Sequence, residues 1–424
     1  MEQAGMSSIK GRYRGRFYRS YLLYTALETD LLFFAVCDAT FLTQVKHLSA
    51  EQVSLVTFLS ILLSLAVQYP LLKLINRIGN KAAVRAGSVF FLLASILITF
   101  SPNFIVLLAG GFLECIGYAF NSIGVAVLKN RLKAEHREDK YVQYQSEANG
   151  AASFMMMLSA LSCGLLFRIN NYFPMYACIL LCLAGVAVSF ILTASETGSG
   201  EIKPASGIKE AEGGQKKAWR IYGALIVISF ALFSTVTGTG LAYARLNFHE
   251  LLDDRTSESV VMLISMTASC IYFFRLLSNL VLQKVYLKVR NRTMLIVSAL
   301  LLIGLWLQFL PWVSETKNTA LMLCAGYLLM AFVRDPFTTI IQNLSLTSSE
   351  VQRQQKMLVA LNAARKAGSL TLSALATLLL KHTDLSAIMM LMVAATAVNL
   401  LIELVILRRS AVPVNLQNDH GAST

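Results

Sequence analysis

Two stretches, Leu71–Lys81 (LLKLINRIGNK) and Leu282–Arg292 (LQKVYLKVRNR), are copies of one pattern: Leu-x-Lys-aliphatic-x-x-basic-aliphatic-x-Asn-basic. They stand 211 residues apart in a chain of 424, which is half its length. Each lies between two long apolar runs. The repeated unit is therefore a membrane hairpin with a cationic turn, and its spacing implies a chain built from two similar halves.

Composition points the same way. Hydrophobic residues make up 56% of the chain, charged residues 14%, and the mean hydropathy is +0.60. A soluble protein carries about a quarter charged residues. Apolar runs long enough to cross a hydrocarbon core of about 30 Å recur along nearly the whole length. The expected segments are residues 20–45, 52–74, 82–101, 104–128, 143–167, 172–194, 219–244, 258–282, 293–313, 318–342, 357–380 and 385–407. These runs are too long and unbroken for barrel strands of about ten alternating residues. Only helices then satisfy the backbone in lipid. The expected fold is an all-α polytopic membrane protein, with twelve transmembrane helices in two pseudo-symmetric six-helix bundles.

The domain plan follows from the breaks in hydropathy. Residues 1–194 form a first six-helix half and residues 218–410 a second, with a short tail at 411–424. Between the halves, residues 195–217 (rich in Gly, Ser, Glu and Lys) bury too little apolar surface to fold and read as a linker. The duplication extends beyond the turn. Asn149-Gly-Ala-Ala and Ser159-Ala-Leu in segment 5 recur as Asn362-Ala-Ala-Arg and Ser373-Ala-Leu in segment 11.

A net charge of +13 raises the question of a nucleic-acid partner, and the placement of the cations answers it. Of 37 Lys and Arg, 27 lie in the even-numbered connections and the two tails, six in the odd-numbered connections, and four inside segments. That asymmetry is the positive-inside pattern and puts both termini in the cytoplasm of a plasma-membrane protein. The basic balance is topology, with no polyanion-binding surface implied. The basic first nineteen residues lead into an apolar run without a small-residue cleavage site, which predicts a retained start-transfer helix.

All seven cysteines fall within apolar segments and form no CxxC pair, so they read as small hydrophobes; no metal site and no cofactor are expected. The five histidines lie in connections or the tail, which excludes an intramembrane histidine relay. Nothing resembles a Gly-rich phosphate loop. The only candidates for a surface catalytic cluster are His136, Glu138 and Asp139, which sit in a mixed charge run. The chain reads as not an enzyme.

Twelve segments, two halves, a midpoint loop and a basic turn after segments 2 and 8 resemble the major facilitator superfamily. The most specific element is the turn itself, where the family carries Gly-x-x-x-Asp-Arg-x-Gly-Arg-Lys. Arg77, Gly79 and Lys81 match it, while Leu72, Asn76 and Asn80 replace the first Gly, the Asp and the second Arg. Lys288 and Arg292 are the basic residues of the second copy. In the family the Asp helps latch the halves, so Asn76 removes the charge from such a latch. The family's Arg in segment 4 is absent, with Leu113 in its place when Gly117 is aligned, and Gly164 lacks the proline of the segment-5 motif found in many antiporters. The resemblance implies alternating access, with segments 1, 4, 7 and 10 lining a central cavity.

Ionisable residues inside apolar runs are the site candidates, because each costs at least about 2.5–3.5 kcal/mol at the bilayer centre. The first half holds Glu28, Asp30 and Asp38 in segment 1 and Glu114 in segment 4; the second holds Arg275, Arg334, Asp335, Arg365 and Lys366. Acid dominates the first half and base the second. As one continuous helix, segment 1 would carry Glu28, Asp30 and Asp38 on a shared polar face, with Asp30 near the midplane. Segment 7 adds a hydroxyl-rich run, Ser234–Gly240, expected to be flexible, and Pro336 predicts a kink beside Arg334. Glu403 is expected in an interfacial cluster with Arg408.

Two readings of the charges stay open. Arg275, Arg365 and Lys366 suit interhelical pairing or gating, because buried charges persist mainly when paired. Glu28, Asp30, Asp38, Glu114, Arg334 and Asp335 suit substrate or proton binding. The expected function is secondary active transport of a small molecule by a monomer in the lipid bilayer, coupled to protons. Hydrophobic-drug efflux or facilitated uniport is the alternative, and a membrane-embedded enzyme or a non-transporting sensor stands further off.

Overall fold

A computed structural model describes residues 2–48, 50–194, 213–251, 257–314, 318–346, 351–380 and 382–410. Most of the expected linker and the whole of the tail at 411–424 lie outside the described residues. Every regular element among the described residues is helical. Eight candidate spans among them are long and apolar enough to cross a membrane. Large apolar side chains such as Leu161, Leu165, Leu180, Leu287, Met390 and Leu401 face outward, where a protein surrounded by water would carry charge.

The chain groups into two compact units. The first comprises Met1–Ala205 with Leu346–Ala363, the second Ser206–Ser345 with Ala364–Thr424. The first contains helices α1 (Glu2–Leu27), α2 (Phe34–Thr40), α3 (Ala50–Phe100), α4 (Phe104–Asn121), α5 (Gly124–Ala134), α6 (Tyr141–Ile169) and α7 (Phe173–Ala194). Here α3 packs on α4 and α7, and α1 packs on α6 and α7, around Leu31, Phe41, Phe91, Ile98, Met175 and Cys178. The second contains α8 (Gly213–Leu251), α9 (Ser257–Val289), α10 (Thr293–Val313), α11 (Thr319–Ser345) and α13 (Leu385–Ser410), with α12 (Val351–Leu379) divided between the units. In it α10 packs on α11 and α13, and α8 packs on α11 and α13.

Expected segments 2 and 3 merge into α3, whose helical path is broken at Gly79 (φ +80°, ψ 168°). That region is open almost solely to glycine. In the second copy of the turn the same register position is Arg290, also at positive φ (+51°), where α9 gives way to a short 3₁₀ turn before α10. The repeated sequence thus encodes a repeated backbone turn. Asn80 accepts a hydrogen bond from Gln355 Nε2 (2.5 Å), whereas Asn291 accepts from the Tyr286 hydroxyl (3.1 Å).

Segment 1 departs from expectation. It is not one helix: α1 ends at Leu27, and residues 28–33 are non-helical before α2 begins. Glu28 N–H still reaches Tyr24 C=O (2.9 Å), and helical bonding resumes with Ala35 N–H to Leu31 C=O (2.8 Å). Between them Asp30 Oδ1 accepts the Leu31 N–H (2.8 Å), so a side chain competes with the helical ladder. The expected single polar face therefore does not exist. Asp38 lies beyond the break on α2 and is exposed. Segment 4 is also interrupted, ending as α4 at Asn121 and restarting as α5 at Gly124.

Two smaller expectations are corrected. The Ser234–Gly240 run is regular helix within α8; Ser234, Thr235 and Thr237 are buried, and Thr237 donates to Phe233 C=O (2.9 Å). Glu403 is not interfacial: at 0% exposure it accepts from Ser298 Oγ and Asn399 Nδ2, both at 2.5 Å, because α13 packs that face onto α10.

Candidate functional site

Within the first unit, the two helix interruptions meet. Asn121, the last residue of α4, donates from Nδ2 to Glu28 Oε2 (2.9 Å) and accepts the Tyr24 hydroxyl on Oδ1 (2.9 Å). Tyr118, one turn earlier on α4, donates its hydroxyl to Asp30 Oδ1. Glu114 stands a further turn back and within electrostatic reach of that hydroxyl. A carboxylate at each end of Glu28–Asp30 is thus held by a different side chain of α4.

Glu28 is 4% exposed, and its Oε1 has no hydrogen-bond partner among the described residues. The oxygen lies against Gly185 of α7, where an added Cβ would collide with it. Gly87 of α3 likewise leaves room for the Asn121 amide. Small residues on two neighbouring helices open the space that this polar cluster fills. Cys37 lies beside Cys163 and Cys178 beside Cys182 around the same broken segment, all four buried. Among the described residues, no group of three or more His, Cys, Asp or Glu converges to hold a metal ion.

The start of the chain is tied down by an aromatic clamp. The Tyr18 ring of α1 stacks on Tyr144 of α6 (centroids 4.1 Å apart), and its hydroxyl donates to Glu135 (3.1 Å). Arg131 Nε also donates to Glu135 (2.9 Å), and Arg137 donates to the Tyr144 hydroxyl (2.7 Å). Burial first, then the Glu135 carboxylate, raises the Tyr18 hydroxyl above its ordinary range, so it remains a donor. The clamp holds α1, and with it the position at which segment 1 breaks.

The second unit collects the basic candidates. Arg275 of α9 grips Asp335 of α11 with both ends of its fork, Nε to Oδ2 at 3.0 Å and Nη2 to Oδ1 at 2.8 Å. Asn279 adds a weaker donor to Oδ2 (3.3 Å), and the Tyr272 ring lies 5.8 Å from the Arg275 guanidinium. Arg334 sits within electrostatic reach of Arg275, Asp335, Arg365 and Tyr272. It is half-buried, as are Arg365 and Lys366 on α12.

The structure therefore brings together Glu28 with Asp30, and Arg334 with Asp335, Arg275 and Arg365. Asp38 lies on α2, beyond the break in segment 1. In the turn, Asn76, Arg77, Lys288 and Arg292 are exposed, whereas Gly79 and Lys81 are half-buried. Sequence reasoning missed Tyr118 and Asn121. The signal was there: Glu114, Tyr118 and Asn121 follow one another at helical i, i+4, i+7 spacing along an apolar segment.

The sequence profile of the Major Facilitator Superfamily matches residues 24–252, more than half of the chain. The chain belongs to the Major Facilitator Superfamily. Solved structures agree on the fold. An outward-facing bacterial homologue of the iron transporter ferroportin, with soaked iron, is similar over 92% of this chain and 98% of its own, at 12% identity and a TM-score of 0.73. A second outward-facing structure of a bacterial ferroportin homologue gives 93% and 99% coverage, 12% identity and 0.70. The human organic anion transporter MFSD10 (TETRAN) gives 92% and 99%, 14% and 0.62. No curated protein sequence matches the chain. As a Major Facilitator Superfamily member it is a membrane transporter, not an enzyme.

Proposed function

We propose that this transporter moves a small molecule by alternating access and couples that movement to protons carried at Glu28 and Asp30. One observation supports the reading: the apolar first segment is interrupted at two carboxylates, and one of them, Glu28, is buried with an oxygen bonded to Asn121. A fully bonded carboxylate is fixed in one state. Glu28, held by Asn121 on Oε2, keeps acceptor capacity on Oε1 that a proton can occupy. Asp30, held by Tyr118 and by its neighbour's backbone, supplies a second acceptor two residues away. A broken helix also lets the outer part of segment 1 move without shearing a continuous ladder.

The test uses purified protein in proteoliposomes loaded with a pool of radiolabelled metabolites. A pH gradient is expected to drive net flux of the transported species in the wild type. E28Q and D30N are each expected to abolish the gradient's effect while leaving exchange at equal pH in place. If both variants keep full gradient dependence, the coupling assignment is wrong.

A metal cation is the second reading, favoured by the same pair of carboxylates and by the likeness to the bacterial ferroportin homologue. It needs more than two acidic ligands, and no three metal-binding side chains converge among the described residues. Quenching of a metal-sensitive dye by Mn²⁺ in the same vesicles separates the two readings. The charge asymmetry supports a plasma-membrane protein with both termini cytoplasmic.

A further inference from the structure

We propose that Arg334, with Arg275 and Arg365 beside it, binds the anionic group of the transported molecule, so that the substrate is an organic or inorganic oxyanion. The inference rests on the transport reading above and names the substrate class of that machinery.

The starting point is an imbalance. Asp335 is 7% exposed and is the acid among the groups acting on Arg334. Its two oxygens are occupied: Oδ1 accepts from Arg275, and Oδ2 accepts from Arg275 and Asn279. Arg334 is its immediate neighbour on α11. Adjacent helical residues project about 100° apart, so Asp335 cannot turn a free edge toward the Arg334 fork. Among the described residues no hydrogen bond or ion pair reaches the Arg334 guanidinium. Thr338 takes only its backbone carbonyl (2.9 Å).

An arginine in a membrane segment with two guanidinium neighbours and a shared, already gripped carboxylate has a strong need for a counter-charge. Its five donors form a planar fork that matches carboxylate, sulfonate or phosphate oxygens two at a time. Arg334 is half-buried, so part of its side chain reaches accessible space. The Arg275–Asp335 pair fixes the floor of this site, and Tyr272 offers an aromatic face to an organic substituent. Asp335 also sets the affinity: it partly neutralises the site, so an anion can bind and still leave.

The experiment measures thermal stabilisation of the purified full-length transporter by four probes of matched body: benzoate, benzenesulfonate, benzylammonium and benzyl alcohol. The two anions are expected to stabilise and the other two are not. R334Q is expected to raise the apparent Kd of both anions about tenfold or more, the loss of a charged hydrogen-bonding partner. R334K keeps the charge, loses the fork and falls between; it also covers the case in which R334Q does not fold. D335N is expected to bind benzoate more tightly than the wild type, because the competing acid is gone. Equal stabilisation by benzylammonium, wild-type anion affinity in a folded R334Q or R334K, or no tightening in D335N overturns the proposal. The measurement is made without a pH gradient, so failure of proton coupling at Glu28 and Asp30 leaves its outcome independent.

Discussion

Gly185 is the residue on which the acidic cluster turns. An added methyl group there meets Glu28 Oε1, and with Asn121 holding the other oxygen the carboxylate has nowhere to retreat. G185A is expected to destabilise the protein by about 1–3 kcal/mol, the usual range for overpacking. The loss should be much smaller in an E28A background, giving a coupling energy of about 0.5–3 kcal/mol for two touching positions. Chemical unfolding of the four proteins in detergent reads the cycle, and strictly additive losses would mean the two positions do not touch. At this scale the sequence was informative where charge is expensive. Glu28, Asp30 and Arg334 stand out in apolar runs because lipid penalises them. Tyr118 and Asn121 carry no charge, so nothing in hydropathy marks them, although their spacing with Glu114 does. Glu403 misled for the opposite reason: its nearness to Arg408 in sequence suggested the membrane surface, while its burial depends on Ser298 of another helix.

Turns and breaks separate what sequence can and cannot disclose about elements. The repeated turn was legible because duplication repeats it, and its two copies adopt positive φ at equivalent residues, Gly79 and Arg290. Glycine tolerates that conformation and arginine is strained by it, so the copies should respond to substitution with opposite sign. G79A is expected to cost about 1–3 kcal/mol, since the backbone there is in a region nearly closed to side chains. R290G is expected to be neutral or to gain up to about 1 kcal/mol, relief of left-handed strain set against added chain entropy. Thermal unfolding of both variants decides the matter, and an R290G loss as large as that of G79A would contradict it. The break in segment 1 was not legible. Residues 28–33 (ETDLLF) contain neither Gly nor Pro, and the hydropathy on either side runs on. The interruption comes from Asp30 capturing a backbone N–H and from α4 side chains fixing both carboxylates, a tertiary cause that no local window contains.

For the whole molecule, the controlling feature is where the cations lie. Twenty-seven of 37 Lys and Arg sit in alternate connections and the tails, and basic residues resist transfer across the membrane during insertion. Each hairpin should therefore keep its basic turn on the cytoplasmic side, and the sparsely charged connections should face outward. His47 between α2 and α3, His136 between α5 and α6, and Lys288 near the end of α9 are exposed and sample both kinds of connection. Single cysteines at these three places report sidedness, once the one exposed native thiol among the described residues, Cys270, is changed to serine. A membrane-impermeant maleimide added to intact cells is expected to label H47C and to spare H136C and K288C, which should react only after permeabilisation. Labelling of H136C in intact cells would reverse the assigned orientation of the first half, and labelling of K288C that of the second. Because the two reporters stand in turns that the charge pattern treats alike, agreement between them also tests whether the duplicated halves were inserted with the same handedness of charge.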